Sequence, residues 1–377
     1  MDIKIGVLGD LVLNDNILID EKIIEILNSN NFNIVNLESP FIENEWIKKG
    51  TKNGLFQKSD NCNLLKNLNI KAVSLANNHI FDFGKKGIEK TLEKLSKEQI
   101  QFFGAGLSIN EAVKPAIITI DGKKIAIFGF MMKYFTNKYF ASETSSGIVK
   151  YKPEIVIPLL KSCDADFKIV YNHWNQEFED YPEPVMKLFS EEIIEFCDVI
   201  IGSHPHCIQG IEKINNKPVF FSLGNFAMPH VEYGNIFLPK YPNKCYHSFF
   251  TILHFADGKL DYQIYPTIID ETGTNITLAN ILENKEITEK IYKISIPLNL
   301  DYKKYRKFYN KNKIRKLRLT FVQNEIVNSM LMFISLFLLK SISLTQKTIY
   351  KILKIIKLEK FVKSKFSKTI SKVNNAK

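Results

Sequence analysis

Apolar runs of strand length in this chain stop, repeatedly, on a side chain that can bind a cation. Val199-Ile200-Ile201 leads into Gly202-Ser203-His204-Pro205-His206. Ile3 to Leu8 runs into Gly9-Asp10, Phe32 to Val35 into Asn36-Leu37-Glu38, and Ala72 to Leu75 into Ala76-Asn77-Asn78-His79. Phe167 to Tyr171 ends at Asn172-His173, and Val219 to Leu223 at Gly224-Asn225. Val, Ile and Phe suit the pleated, half-buried surface of a strand. In α/β sheets ligands sit outside the carboxyl ends of strands, so such endings can converge on one site. Pro205 excludes helix at the His pair, and the expectation there is an extended loop from which both imidazoles project the same way.

Asp10, Glu38, His173, His204 and His206, with Asn78 as a neutral oxygen donor, make a mixed nitrogen and oxygen ligand set without sulfur. That mixture suits Mn, Fe or Zn better than Ca or Mg, which prefer oxygen alone. The set exceeds one tetrahedral site and suggests one or two divalent ions, two of them sharing a bridging carboxylate. Such a centre activates water for a displacement, so no serine or cysteine nucleophile is required. His79 and Asp82 stand at i, i+3. The pair reads as an imidazole held by a carboxylate for leaving-group protonation, or Asp82 reads simply as a helix-entry acid. Glu177, four residues after His173, reads as an acceptor for an imidazole N–H or as a solvent-facing loop acid. Cys207 is either a thiolate ligand or a small buried hydrophobe. His230, His247 and His254 lack the strand-end setting and read as ordinary histidines.

The elements that must position these groups alternate. Helical spacing appears over Asp20 to Ser29, Asn61 to Leu68, the segment after Gly87 (Ile88, Leu92, Leu95) and Pro184 to Phe196. Hairpins are expected across Asp121-Gly122 and across Asp257-Gly258. Residues 41–60 and 227–247 read as loops, and the irregular, aromatic segment 131–152 as a rim or lid. Strands alternating with helices and followed by hairpins predict an α/β protein whose sheets are covered by helices.

Size and composition set bounds. With 377 residues, 45% hydrophobic and 24% charged, the chain has room for a large domain and an appendage. Its five cysteines (Cys62, Cys163, Cys197, Cys207, Cys245) are odd in number and lack C-x-x-C spacing, which predicts reduced thiols in a cytoplasmic compartment. Met1-Asp2-Ile3-Lys4 enters the first strand without the basic and apolar regions of an export signal, which adds to the expectation of a cytoplasmic location. The net charge of +11 is uneven: residues 302–377 carry 20 Lys and Arg against two acids, Glu325 and Glu359. That tail holds a basic, aromatic segment (Lys303 to Arg318), a short apolar run (Ile326 to Leu339) and a Lys-rich amphipathic segment (Thr348 to Phe366). The apolar run is shorter than the roughly 20 residues of a spanning helix. The tail therefore reads as a helix lying on an anionic membrane surface, or as a helical hairpin packed on the body. No groove-reading motif points to nucleic acid.

The ordered motifs resemble those of the CapA family. They are Gly9-Asp10, Asn36-Leu37-Glu38, Ser74 to His79 with Asp82 and Gly84, Gly104-Ala105-Gly106, His173-Trp174 with Glu177, Gly202 with His204-Pro205-His206 and Gln209, and Ser222 to Phe226. The likeness covers about residues 3–270. It implies capsule or poly-γ-glutamate biosynthesis and a four-layer α/β/β/α metallophosphatase-like sandwich over residues 1–300, while the basic helical extension over 301–377, read from its charge and spacing, falls outside the likeness. By position it implies Asp10, Glu38, Asn78, His173, His204 and His206 as metal ligands. His79, Asp82 and Glu177 are then catalytic, and Asn77, Gln209 and Asn225 substrate-binding. Two departures stand out. Val12 occupies the third position of the Asp-x-His pattern usual in calcineurin-like enzymes, which puts one of two metal positions in doubt. Asn175 replaces a common Gly, which would narrow the loop approach. The implied partners are a surface polymer or its precursor and other capsule biosynthesis proteins; the basic tail adds the inner face of the cell membrane. The function is then a metal-dependent, phosphoesterase-like hydrolase in polymer assembly. A non-catalytic, membrane-peripheral assembly factor for a polymer synthase is the alternative.

Overall fold

The alternation of apolar strand and amphipathic helix builds two sheets packed face to face. A computed structural model describes residues 2–13, 15–43, 54–132, 139–229, 241–256 and 258–323. The first part of the chain supplies β1 (Asp2–Leu11), β2 (Leu18–Ile19), β3 (Phe32–Leu37), β4 (Ile70–Ser74) and β5 (Gln101–Phe103). It then lays down a second sheet from β6 (Ala116–Ile120), β7 (Lys123–Met131), β8 (Phe167–His173), β9 (Val199–Ser203), β10 (Ile211–Ile214) and β11 (Lys217–Phe220). It returns to the first sheet with β12 (Asn225–Ala227), β13 (His247–Ala256), β14 (Lys259–Ile269) and β15 (Asn275–Leu278). The strand orders are β2-β15-β14-β13-β1-β3-β4-β5, with β12 also on β1, and β10-β11-β9-β8-β7-β6. In the first sheet β1, β3, β4 and β5 run parallel out to the β5 edge, in the second β7, β8, β9 and β11 run parallel, and antiparallel pairs (β13 with β14, β6 with β7, β10 with β11) complete the sheets.

Four layers result from what each face buries. Ile3, Ile5 and Val7 of β1 meet Ile127, Tyr171 and Ile201 from the second sheet in one core between the sheets. Leu8 and Leu11 instead pack under α1 (Glu21–Asn28), α2 (Asn63–Asn67) and α3 (Gly84–Lys97), through Ile23, Leu65 and Leu92. On the other side, Phe128, Val170 and Ile200 pack under α4 (Pro153–Ser162) and α5 (Pro184–Ile193), through Val156, Leu160 and Met186. This is the α/β/β/α order expected of a metallophosphatase-like chain. The Asp121-Gly122 hairpin forms as expected, both residues taking positive φ (49° and 78°) as a type I′ turn requires. Of the three histidines outside the strand-end pattern, His254 pairs with Asp2 and His247 begins β13, whereas His230 lies outside the described residues.

The compact body extends to Lys313. After α6 (Ile281–Ser295), α7 (Tyr302–Gln323) begins with aromatic residues three to four apart. Tyr305 and Tyr309 are buried, and the Tyr305 hydroxyl donates to the Pro182 carbonyl at 2.7 Å. The first turns of the basic segment thus pack on the body, as helices with one apolar stripe do. The apolar run 326–339, the Lys-rich segment 348–366 and parts of the expected rim and loops lie outside the described residues. Among the described residues, no helix is long and apolar enough to cross a membrane.

Candidate metal centre

Close backbone approach brings the two sheets' strand ends together. Gly9 lies so near the chain crossing between sheets that a Cβ there would meet the Gly224 carbonyl oxygen at 1.9 Å. Gly224 itself takes φ +81°, a conformation open to glycine at little cost. The crossing lets β12 pair with β1, placing Asp10 opposite Asn225, and the ladder is irregular at this point. Bulges of this kind re-aim side chains beside functional sites. The expected extended loop at His204-Pro205-His206 is instead a turn with φ +93° at His204 and +56° at His206. Left-handed backbone at two non-glycine residues costs about 1–2 kcal/mol each, so the surrounding contacts must hold it. The reward is geometric: both imidazoles still reach the same cluster, but through strained backbone and not through an extended chain.

At the meeting of the strand ends, Glu38 Oε1 lies 3.7 Å from both His173 Nε2 and His206 Nε2. Asp10 Oδ2 lies 3.5 Å from His206 Nδ1 and accepts the His204 backbone N–H at 3.1 Å. The ligand atoms of Glu38, His204 and His206 fall within 4.8 Å of one another. His173 Nε2 is 2.7 Å from Asn78 Oδ1, and the His173 and His204 rings are 4.6 Å apart. Residues distant in sequence thus form one cluster, with Asp10 and Glu38 wholly buried.

Electrostatics sharpen the picture. Burial drives the Glu38 carboxyl well above its ordinary range, and neighbouring Asp10, then Glu177 and Asp82, push the same way. Burial also raises Asp10, opposed by His206, Asn36 and the His204 backbone. His173 and His204 are held well below the usual imidazole range, first by burial and then by neighbouring imidazoles. Neutral imidazoles are the form that ligates metal. Among the described residues, Glu38 Oε1 has no hydrogen-bond partner. A buried carboxylate oxygen left without a donor is unfavourable unless a cation meets it. The donor set, the neutral imidazoles and this oxygen all fit a divalent ion.

Around the cluster, the remaining assigned residues divide. His79 Nδ1 sits 2.9 Å from Asp82 Oδ2, and both are partly exposed, as an imidazole that meets a ligand must be. Asp82 Oδ2 also accepts the Leu55 N–H at 2.7 Å, so the carboxylate is itself fixed. Glu177 is exposed, and the His173 nitrogens are served by Ser203 Oγ (3.1 Å) and Asn78 instead. Asn77 is buried, donates to the Asn36 side chain and the Leu37 carbonyl, and accepts from the N–H groups of His79 and Ile80. Gln209 is buried between Asn175 and the Glu179 carbonyl. Asn225 Oδ1 meets His206 Nδ1 at 2.9 Å. These three amides hold the turns and the imidazole that carry the site. Cys207 Sγ donates to the Glu179 carbonyl at 3.3 Å and is no part of the ligand cluster.

One role went unassigned in the sequence. Asn36 is the hub: its Nδ2 reaches Asp10 Oδ1 (2.8 Å), Glu38 Oε2 (3.4 Å) and His173 Nδ1 (3.4 Å). Its signal was the i, i+2 spacing to Glu38, which puts both on one face of a strand. Asn175 takes φ +70°, the conformation a glycine adopts freely and asparagine tolerates. Its side chain turns into the loop, donating to Gln209 and accepting from Glu183 N–H, so the replacement of Gly ties the loop together. Val12 is buried against Leu55 and Met228 in an apolar cluster, where a third-position histidine would have offered a ligand.

The sequence model of a family described as "Bacterial capsule synthesis protein PGA_cap" matches residues 14–230, more than half of the chain. The PGA biosynthesis protein CapA of Bacillus subtilis (strain 168) is 31% identical over 198 residues, 51% of this chain and 52% of the relative. The capsule biosynthesis protein CapA of Bacillus anthracis is 25% identical over 202 residues, 51% of this chain and 49% of the relative. The chain thus spans about half the length of these relatives. A structure titled as a novel phosphatase from Mycoplasma pneumoniae aligns over 76% of this chain and 97% of its own, with 13% identity and a TM-score of 0.46. The layer order rests on this chain's own strand pairings and not on that alignment. With its strand-end motifs gathered in one cluster and the family match running from residue 14 to residue 230, the chain belongs to the bacterial capsule synthesis protein family PGA_cap.

Proposed function

We propose that this protein is a metal-dependent hydrolase of the phosphoesterase type, acting on a surface polymer or its precursor during capsule or poly-γ-glutamate assembly. The observation that carries the reading is the buried Glu38 oxygen, without a hydrogen-bond donor among the described residues and 3.7 Å from two imidazole nitrogens. The relatives' names, which refer to capsule and PGA biosynthesis, support the pathway. Asp10, Glu38, Asn78, His173, His204 and His206 would hold one or two divalent ions, Mn, Fe or Zn. When bound, such an ion supplies Lewis-acid activation and neutralises charge on the reacting oxygens. Asn36 fixes both carboxylates and His173 against rotation. Asp82 fixes the His79 ring through Nδ1, leaving Nε2 as the atom that exchanges a proton with a leaving group. Val12 in its apolar cluster supports one strong metal position over two equal ones.

The reading extends to location. Five cysteines, none of them in a disulfide among the described residues, support a reducing, cytoplasmic compartment, and the exposed cations of residues 302–313 support contact with an anionic membrane face. The test is hydrolysis of generic phosphomonoester and phosphodiester substrates by the full chain with Mn²⁺. Turnover is expected in the wild type, and a loss of about 10²–10⁴-fold in His79→Asn. Equal rates in His204→Ala and wild type would refute the hydrolase. No turnover with Mn, Fe or Zn, with the ions bound, would instead favour the assembly factor.

A further inference from the structure

The segment 175–183 has no regular secondary structure, yet it is tied down at nearly every residue. Asn175 and Phe178 both take left-handed backbone, with φ +70° and +61°. Phe178 N–H donates to the Pro205 carbonyl at 2.9 Å, and the Phe178 ring stands 6.1 Å from that of His206. The segment therefore bears directly on the His204-Pro205-His206 turn. Lys244 grips it from one side, through the Phe178 carbonyl and Asp180, and Gln209 from beneath.

Further ties come from α7, beyond the region matched by the family. Lys313 Nζ donates to Gln176 Oε1 at 2.9 Å, the Tyr305 hydroxyl to the Pro182 carbonyl at 2.7 Å, and the Phe308 ring meets Tyr181 edge-on at 4.9 Å. Within residues 302–313, Tyr305 and Phe308 face this segment, while Lys303, Arg306, Lys307 and Lys311 are exposed. Strained backbone persists only where its surroundings over-determine it. We propose that the first three turns of the basic helix are a positioning device for the metal centre, with Tyr305 and Lys313 holding residues 175–183 against the His-Pro-His turn. The inference rests on the metal-centre reading above. It makes the appended helix part of the site's support, so whatever the exposed cations bind is linked mechanically to the imidazoles.

The test uses the full chain with Tyr305→Phe and Lys313→Met combined, and Lys313→Arg as the conservative control. Two quantities are read: amide hydrogen exchange over residues 176–183 and 204–207, and Mn²⁺ affinity by titration. Faster exchange in both segments and about tenfold weaker Mn²⁺ binding are expected, with Lys313→Arg resembling wild type. Faster exchange at 176–183 alone, with 204–207 and Mn²⁺ affinity unchanged, would overturn the proposal, as would no change in exchange. If the wild type binds no Mn²⁺, the metal reading fails by itself, and exchange at 204–207 still decides the positioning role.

Discussion

Two buried charged regions of this protein are built on opposite plans. On the outer face of the second sheet, Lys187 of α5 meets Glu212 of β10, both almost wholly buried, with Glu191 adding a second carboxylate at 3.2 Å from Lys187 Nζ. Burial pushes the Glu212 carboxyl up, and Lys187 pulls it back down. At the strand ends, Asp10 and Glu38 are buried as deeply, but no lysine or arginine is paired with either among the described residues. Their neighbours are imidazoles, two of them held neutral by burial. The first region carries its own counter-charge. The second leaves that part to an ion from solution, which is the physical difference between a structural pair and a binding site.

The largest effect expected from this contrast is at the structural pair. Lys187→Met leaves Glu212 buried and unpaired and should cost about 3–5 kcal/mol in denaturant unfolding, whereas replacing both partners by apolar residues should be nearly neutral. At the strand ends the sign depends on the ion. Glu38→Gln should stabilise the chelated protein by about 1–3 kcal/mol, because it removes an ionisable group whose charged form is unfavourable when buried without a counter-charge. The same variant should lose about 100-fold or more in Mn²⁺ affinity. A Glu38→Gln variant less stable than wild type under chelation would erase the contrast.

The pH dependence sharpens it. In the metal-free chain the raised Asp10 and Glu38 carboxyls hold protons that the unfolded chain has released. Their contribution to stability is therefore lost as pH rises through those raised values. His173 and His204, neutral when folded, weaken the fold as pH falls below the unfolded value of about 6.5. A bound cation keeps the carboxylates ionised and removes the loss on the alkaline side. The Tm difference between Mn²⁺-loaded and chelated protein should widen from about pH 6 to about pH 8. A constant difference would contradict the shifts. The smallest effect is at the hub: Asn36→Ala leaves every ligand in place and should weaken Mn²⁺ binding about tenfold.

Much of this was legible because strand ends are local. Val199-Ile200-Ile201 announces a strand, and the carboxyl end of a parallel strand in an α/β sheet is where ligands sit. Helix-covered sheets and hairpins came from the order of apolar runs and turn residues, whereas the four layers came from the resemblance to the CapA family. The turn at 204–206 was not legible, because Pro205 fixes only its own φ and the left-handed backbone at both histidines is imposed by contacts with Asp10, Asn225 and Phe178. The roles of Asn77 and Gln209 were hidden likewise, since an amide that faces a ligand and one that ties two turns together look alike in sequence. The tail's charge read as a single region. Yet Tyr305 and Tyr309, spaced i, i+4 among lysines, turn its first three turns toward the body.

The central claim is that the strand ends hold a divalent cation between Glu38 and the three imidazoles. Elemental analysis of the purified full chain, after loading with Mn²⁺ and removal of excess, tests it most directly. The account predicts at least one ion bound per chain in the wild type, lost in both Glu38→Gln and His206→Ala while each variant stays folded. Equal metal content in all three proteins, or none in the wild type after loading with Mn, Fe and Zn in turn, would contradict it.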